Sequence, residues 1–177
     1  FDNHNSVNGI REFASNKGAR VQYVPVGFPD LRLEQESLDK VLDSADKSAK
    51  NLFAFPAQSN FSGVKHPLSW IEYAQQKGWD VLLDAAAFVP ANRLDLSAVS
   101  PDFVCISFYK MFGYPTGIGM LLIRNSSYEK LERPWFAGGT VNFASVQGNS
   151  HYLAGNEAAF EDGTINYLNI PAVKMGL

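Results

Sequence analysis

The chain has 177 residues, 46% of them hydrophobic, and a formal net charge of −3, enough apolar surface for one packed domain. No basic patch stands out and no run approaches the roughly 20 apolar residues of a membrane span, so nucleic acid and the bilayer are excluded as partners. The single cysteine, Cys105, rules out an internal disulfide framework and suits a reducing cytoplasm.

Val7, Ile10, Phe13 and Ala14 recur at helical spacing, and Gly18 ends that run as a C-terminal cap does. Arg20 to Val26 (RVQYVPV) alternates like a half-buried strand. A second helix is expected from Leu38 to Ala45, with Leu38, Val41 and Leu42 on one face, and a short apolar strand from Asn51 to Phe55. Pro67 to Lys77 predicts a third helix, with proline in its first turn and Gly78 after its end. Three more apolar runs follow: Asp80 to Ala85, Phe103 to Phe108 and Gly119 to Arg124. Beyond about Leu131 the periodicity fades. Pro134 to Gly163, rich in Gly, Asn and Ser, reads as a long loop of the kind that serves function or an interface, and one further helix is expected before Leu177.

Strands alternating with helices predict an α/β fold, a mostly parallel sheet flanked by helices. The apolar runs are continuous, as in strands buried on both faces. In such sheets the ligand sits beyond the carboxyl ends of the strands. That rule points to Ser59 and Asn60, to Asp84, and to the stretch from Ser107 to Lys110.

Each of these residues has two readings. Asp84, after the apolar run VLL, is either a turn or N-cap residue or a buried carboxylate paired with a cation; burial without a partner would discharge it. Lys110 is either a solvated loop residue or an amine desolvated for imine chemistry. Its setting favours the second: Ser107 precedes it by three residues, aromatics flank it, and a glycine-rich turn follows. That turn, GYPTGIG (Gly113 to Gly119), is either a phosphate loop or a tight strand-to-strand connection; its glycine spacing is not that of a dinucleotide fingerprint. Asn60 is a turn residue or a polar contact. His4 starts a helix, or is a satisfied, partly buried histidine. Cys105, inside the run FVCISF, reads as inert. The three histidines stand far apart without ligand-spaced neighbours, so no metal site is expected.

Six stretches in this order carry a resemblance: DNHNSVNGIREFA, FPAQSNFSG, LLDAAAF, SFYKMFGYPTGIG, RPWFAGGTV and FEDGTINYLNI. Together they resemble the class V aminotransferase superfamily of fold-type I pyridoxal 5′-phosphate (PLP) enzymes. Within it the chain is similar to the cysteine desulfurases, and among these to the amino-terminal domain of the molybdenum cofactor sulfurase branch. The resemblance implies that residues 1–177 are the central part of the large PLP-binding domain. A glycine-threonine turn that cradles phosphate would precede Phe1. A small domain, with the nucleophilic cysteine and the arginine that grips the substrate carboxylate, would follow Leu177.

The resemblance also implies roles. Lys110 would anchor the cofactor and act as catalytic base. Asp84 would pair with the pyridine nitrogen, and Asn60 would bond the phenolic oxygen. Ser107 would bind the phosphate, with Tyr109 beside it. His4 would stack on the ring face as a second catalytic residue. Thr164 would reach the phosphate of a neighbouring subunit, implying a homodimer. The pattern departs from the desulfurases at Ala87, where glutamine is usual, and at Tyr109, where histidine is usual; the stacking histidine of one desulfurase subgroup would fall on Asn3. The implied activity is removal of sulfur from L-cysteine as an enzyme persulfide, with the molybdenum cofactor of oxidases and dehydrogenases as acceptor. A general cysteine desulfurase, a selenocysteine lyase and a non-catalytic scaffold module are the other readings.

Overall fold

The computed structural model describes residues 2–113 and 116–177. They fall into two compact units, one running to Ser127 and the other from Tyr128 to Leu177.

The first unit opens with two short helices, α1 (Asn5–Asn8) and α2 (Ile10–Asn16), where the sequence predicts one continuous helix; the break falls at Gly9. Arg20 to Val26 does not form the expected strand. Only β1 (Val26–Gly27) pairs, with β2 (Arg32–Leu33), in an antiparallel ladder. Alternation marks a chain suited to half-burial, but a strand needs a neighbour to take its ladder bonds. Here Arg20 instead bonds the carbonyl and hydroxyl of Ser44, and Pro25 has no N–H to offer.

The remaining elements follow the predicted alternation closely. α3 (Gln35–Asp43) leads to β3 (Leu52–Pro56), α4 (Trp70–Gln76) to β4 (Asp80–Asp84), then β5 (Phe103–Ser107). α5 (Phe108–Phe112) is a one-turn helix that the apolar periodicity does not reveal. After it, β6 (Gly119–Ile123) returns antiparallel, and α6 (Asn125–Tyr128) follows, its last residue being the first of the second unit.

The four-stranded sheet has the order β3-β4-β5-β6, parallel from β3 to β5 and antiparallel at β6. Its core lies on one face. Phe53, Phe55, Val81 and Leu83 point there and meet Leu38, Leu42, Trp70, Ile71 and Ala74 from α3 and α4. The rings of Phe53 and Phe55 stack at 5.0 Å, and Trp70 lies edge-on to Phe55 at 5.8 Å. The opposite face departs from the expectation of two-sided burial: Ala54, Leu82, Phe103 and Cys105 are only half-buried. No helix among the described residues is long and apolar enough to cross a membrane.

At the amino end of the parallel strands, Asp102 joins several elements. Its Oδ2 accepts from the Val81 N–H (2.8 Å) and the Gln75 amide (2.9 Å), its Oδ1 from the Ser127 hydroxyl (2.6 Å), and Arg124 stands 3.9 Å away. Burial opposes ionisation of this carboxyl, but the bonds from Ser127, Gln75 and Val81 and the Arg124 charge outweigh it and hold its pKa below the ordinary value.

In the second unit, the segment expected to be loop contains a hairpin, β7 (Val141–Ala144) with β8 (His151–Leu153), irregular between Val141 and Phe143, and a 3₁₀ turn at Asn156–Phe160. Ser145, Gly148, Asn149 and Ser150, among the residues that read as loop, lie in the connection between the strands. The expected last helix is α7 (Pro171–Gly176). Arg133 ties this unit together through the carbonyls of Trp135 and Ala159 and the Asp162 carboxylate. Gly139 has φ +85°, and a Cβ there would lie 2.9 Å from the Gly163 carbonyl.

Two outcomes follow from these contacts. Asp102→Ala strands the buried donors of Ser127 and Val81 and should cost about 2–3 kcal/mol in chemical denaturation. Because its folded pKa is depressed, the stability that Asp102 lends is present above about pH 4 and fades as pH falls through the lowered value; Asp102→Asn should flatten that acid limb. Gly139→Ala forces a left-handed backbone and a clash with a carbonyl, and should lower stability by roughly 1–3 kcal/mol in thermal unfolding.

Candidate active site

The carboxyl ends of β3, β4 and β5 meet in register: Pro56 lies beside Asp84, and Asp84 beside Cys105. The ladder continues one step further, with the Ala57 N–H donating to the Asp84 carbonyl (2.9 Å) and the Ala85 N–H to the Cys105 carbonyl (3.0 Å). Asp84 is therefore the last residue of the strand flanked on both sides, and it is only 8% exposed. The Ala86 N–H donates to its Oδ1 at 3.0 Å, so this aspartate does form a local turn contact as well as being buried.

Beyond β3 the chain makes a tight turn that carries Asn60. The Ser59 N–H donates to the Val64 carbonyl (2.8 Å) and the Gly63 N–H to the Ser59 carbonyl (3.1 Å). The Ser59 hydroxyl oxygen accepts from the N–H groups of Phe61 (3.2 Å) and Ser62 (3.0 Å). Beyond β5, Ser107 starts α5 without using its hydroxyl as a cap, and Gly113 ends the helix with φ +78°, a left-handed conformation that glycine adopts without strain. Phe108 is buried and stacks on Phe112 at 6.0 Å, which holds one side of the turn. Lys110, two residues from each, projects from the opposite side.

These two turns are joined directly. Lys110 Nζ donates to Asn60 Oδ1 at 2.7 Å, a contact between residues 50 apart in sequence. Since β4 lies between β3 and β5, the pair closes across the strand that ends in Asp84. A primary amine, an amide and a buried carboxylate thus share one end of the sheet. Ser107 is half-buried and Tyr109 exposed, both next to Lys110 in the chain.

Two other predicted site residues have settings of their own. His4 is exposed and caps α1: its Nδ1 accepts from the Ser6 N–H (3.2 Å) and lies 2.8 Å from the Ser6 hydroxyl. Thr164 is an exposed residue of the second unit. Tyr114 and Pro115 of GYPTGIG lie outside the described residues. The Cys105 thiol is pushed up in pKa, by burial first and then by the Asp84 charge, which keeps it protonated and poorly nucleophilic.

Sequence reasoning missed a buried network under Asn60. Asp2 Oδ1 accepts from the Ser59 hydroxyl (2.7 Å), and Asp2 Oδ2 lies 2.8 Å from His66 Nε2. Asp2 and His66 are 64 residues apart, so no local spacing signals the pair; only the polar Ser59 at a strand end was visible.

The chemistry of this donor set fits a PLP cofactor: an amine for its aldehyde, a buried carboxylate for its pyridine nitrogen, and an amide and a hydroxyl for its oxygens. Comparison with known proteins agrees with the fold. The Aminotransferase class-V family matches residues 2–177. The molybdenum cofactor sulfurase of Homo sapiens is 42% identical over 186 residues, covering 99% of this chain and 20% of that protein. The Caenorhabditis elegans molybdenum cofactor sulfurase is 40% identical over 176 residues, covering 99% and 23%. The structure of a cysteine desulfurase from Thermococcus onnurineus NA1 superposes with a TM-score of 0.81 at 26% identity, covering 97% of this chain and 41% of that one. The chain thus spans about a fifth of the length of these curated relatives. Matched along its length in sequence, the chain belongs to the class V aminotransferase family.

Proposed function

We propose that this chain supplies the central part of the large domain of a PLP-dependent cysteine desulfurase that acts as a molybdenum cofactor sulfurase. The observation that carries this reading is the Lys110–Asn60 bond at 2.7 Å across the strand ending in the buried Asp84. The two sulfurases similar over 99% of the chain support the choice of branch. The likeness to a cysteine desulfurase structure favours a general desulfurase as the second reading.

Bound PLP supplies an electron sink that weakens the bonds at the substrate Cα. The remaining work falls to side chains. Lys110 Nζ would anchor the cofactor aldehyde, and Asn60, the hydrogen-bond partner of that amine, would offer its amide to the phenolic oxygen. Asp84 holds the proton on the pyridine nitrogen, where a carboxylate with little solvent around it keeps the positive charge paired. Ser107, with its hydroxyl not spent on capping, binds the phosphate, and Tyr109 flanks it. Ala87 withdraws the hydrogen bond that glutamine provides in most desulfurases. His4 lies two residues beyond Asp2, which is tied to the Asn60 turn, and covers the ring face. Thr164 completes the phosphate site of a second subunit in a homodimer.

With L-cysteine bound, Lys110 Nζ takes the Cα proton. The sulfur leaves to a cysteine thiolate as a persulfide. Cys105 is not that group, because its thiol is held protonated inside the sheet. The acceptor beyond the persulfide is the molybdenum cofactor of oxidases and dehydrogenases, in the cytoplasm.

In the full-length protein reconstituted with PLP, a visible absorbance band should appear and be absent in Lys110→Ala. Alanine release from L-cysteine should fall by about 100-fold or more in that variant. Cys105→Ser should leave it within about twofold, as expected for a residue outside the chemistry. A wild-type protein with no band, or a band that survives in Lys110→Ala, overturns the proposal.

A further inference from the structure

The turn that carries Asn60 is held from below by one carboxylate. Asp2 uses both oxygens: Oδ1 accepts the Ser59 hydroxyl proton at 2.7 Å, and Oδ2 lies 2.8 Å from His66 Nε2. The Asp2 and His66 side chains are only 10% and 2% exposed. Ser59 can donate only one proton and gives it to Asp2, while its oxygen accepts from Phe61 and Ser62, the two residues after Asn60. The His66 N–H donates to the Ala57 carbonyl (3.0 Å), and its ring stacks on Trp70 at 5.4 Å, which fastens the same turn to α4. Asp2 also fixes its own segment. Next to it the Asn3 amide donates to the Ala54 carbonyl at 2.8 Å, and His4 then caps α1.

We propose that Asp2, through Ser59 and His66, is a positioning residue that sets the place of Asn60 and thereby the orientation of the Lys110 amine. Losing this carboxylate leaves a buried hydroxyl and a buried imidazole nitrogen without a partner. The cheapest relief is movement of the turn between Ser59 and Val64, and Asn60 moves with it. An asparagine at position 2 keeps an oxygen for Ser59 and a second polar atom for His66 Nε2, so the turn survives the exchange. The effect on the Lys110 amine needs only the structure; its consequence for PLP rests on the proposed function.

The test uses the full-length protein with Asp2→Ala, Asp2→Asn, Asn60→Ala and the Asp2→Ala/Asn60→Ala pair. The first readout is the acetylation rate of Lys110 in the cofactor-free protein, followed by quantitative mass spectrometry. The second is the position of the visible band after PLP is added. Asp2→Ala should change the Lys110 rate by about threefold or more, in the same direction as Asn60→Ala. Asp2→Asn should restore it, and the double variant should match Asn60→Ala alone, since both act through one contact. The band should shift in Asp2→Ala and return in Asp2→Asn. If Asp2→Ala melts at lower temperature while Lys110 reacts at the wild-type rate, or if the two effects add, the positioning role is wrong. Should Asp2→Ala not fold, Ser59→Ala cuts the same arm, and a folded Ser59→Ala protein with wild-type Lys110 reactivity overturns the proposal. A wild-type protein that gives no band removes the PLP reading and leaves the lysine rates to decide this one.

Discussion

Parallel pairing of β3, β4 and β5 is the constraint on which the site depends. Three strands that run the same way bring their carboxyl ends to one edge, and whatever follows each strand gathers there. The turn after β3 brings Asn60, the end of β4 brings Asp84, and the helix after β5 brings Lys110. A shift in pairing would displace Asp84 from its place between Pro56 and Cys105 and part the groups that meet across it. The one-sided core of α3 and α4 against Phe53, Phe55, Val81 and Leu83 holds that register with non-directional apolar contacts.

Buried carboxylates then sharpen what apolar packing leaves loose. Asp102 binds the start of β4 to α4 and to the segment after β6, at the end of the sheet away from the site. Asp2 binds the turn after β3 at the site end. Each is satisfied by hydrogen bonds, as a buried charge must be. Asp84 differs: the one hydrogen bond described for its side chain comes from the Ala86 N–H, and it ends the strand between those that lead to the amide and the amine. Two carboxylates bound to several elements serve the scaffold, and the one with the lighter load lies where the chemistry is proposed.

Much of this was legible in the sequence, for physical reasons. Short continuous apolar runs carry strand propensity whichever face they bury, so LFAFP, DVLLD, FVCIS and GMLLI announced themselves, and polar residues at their ends marked the edge where Asn60 and Lys110 bond. Arg20 to Val26 misled because alternation reports suitability for half-burial, not a neighbour to pair with. The hairpin between Val141 and Leu153 was hidden because its strands are three and four residues long and are joined through the polar stretch SVQGNS. α5 was hidden because its single turn, FYKMF, continues the apolar strand before it. His4 was readable both as a helix start and as a ring-stacking group, and its bonds to Ser6 bear out the helix start. The Asp2–His66 contact spans 64 residues and leaves no local trace.

The central claim is that Lys110 is the amine that holds the cofactor. It is tested most directly by reducing the PLP-loaded full-length protein with borohydride and mapping the pyridoxyl label by peptide mass spectrometry. The account predicts one labelled peptide, with the label on Lys110. A label on Lys65 or another lysine, with Lys110 unmodified, would contradict it.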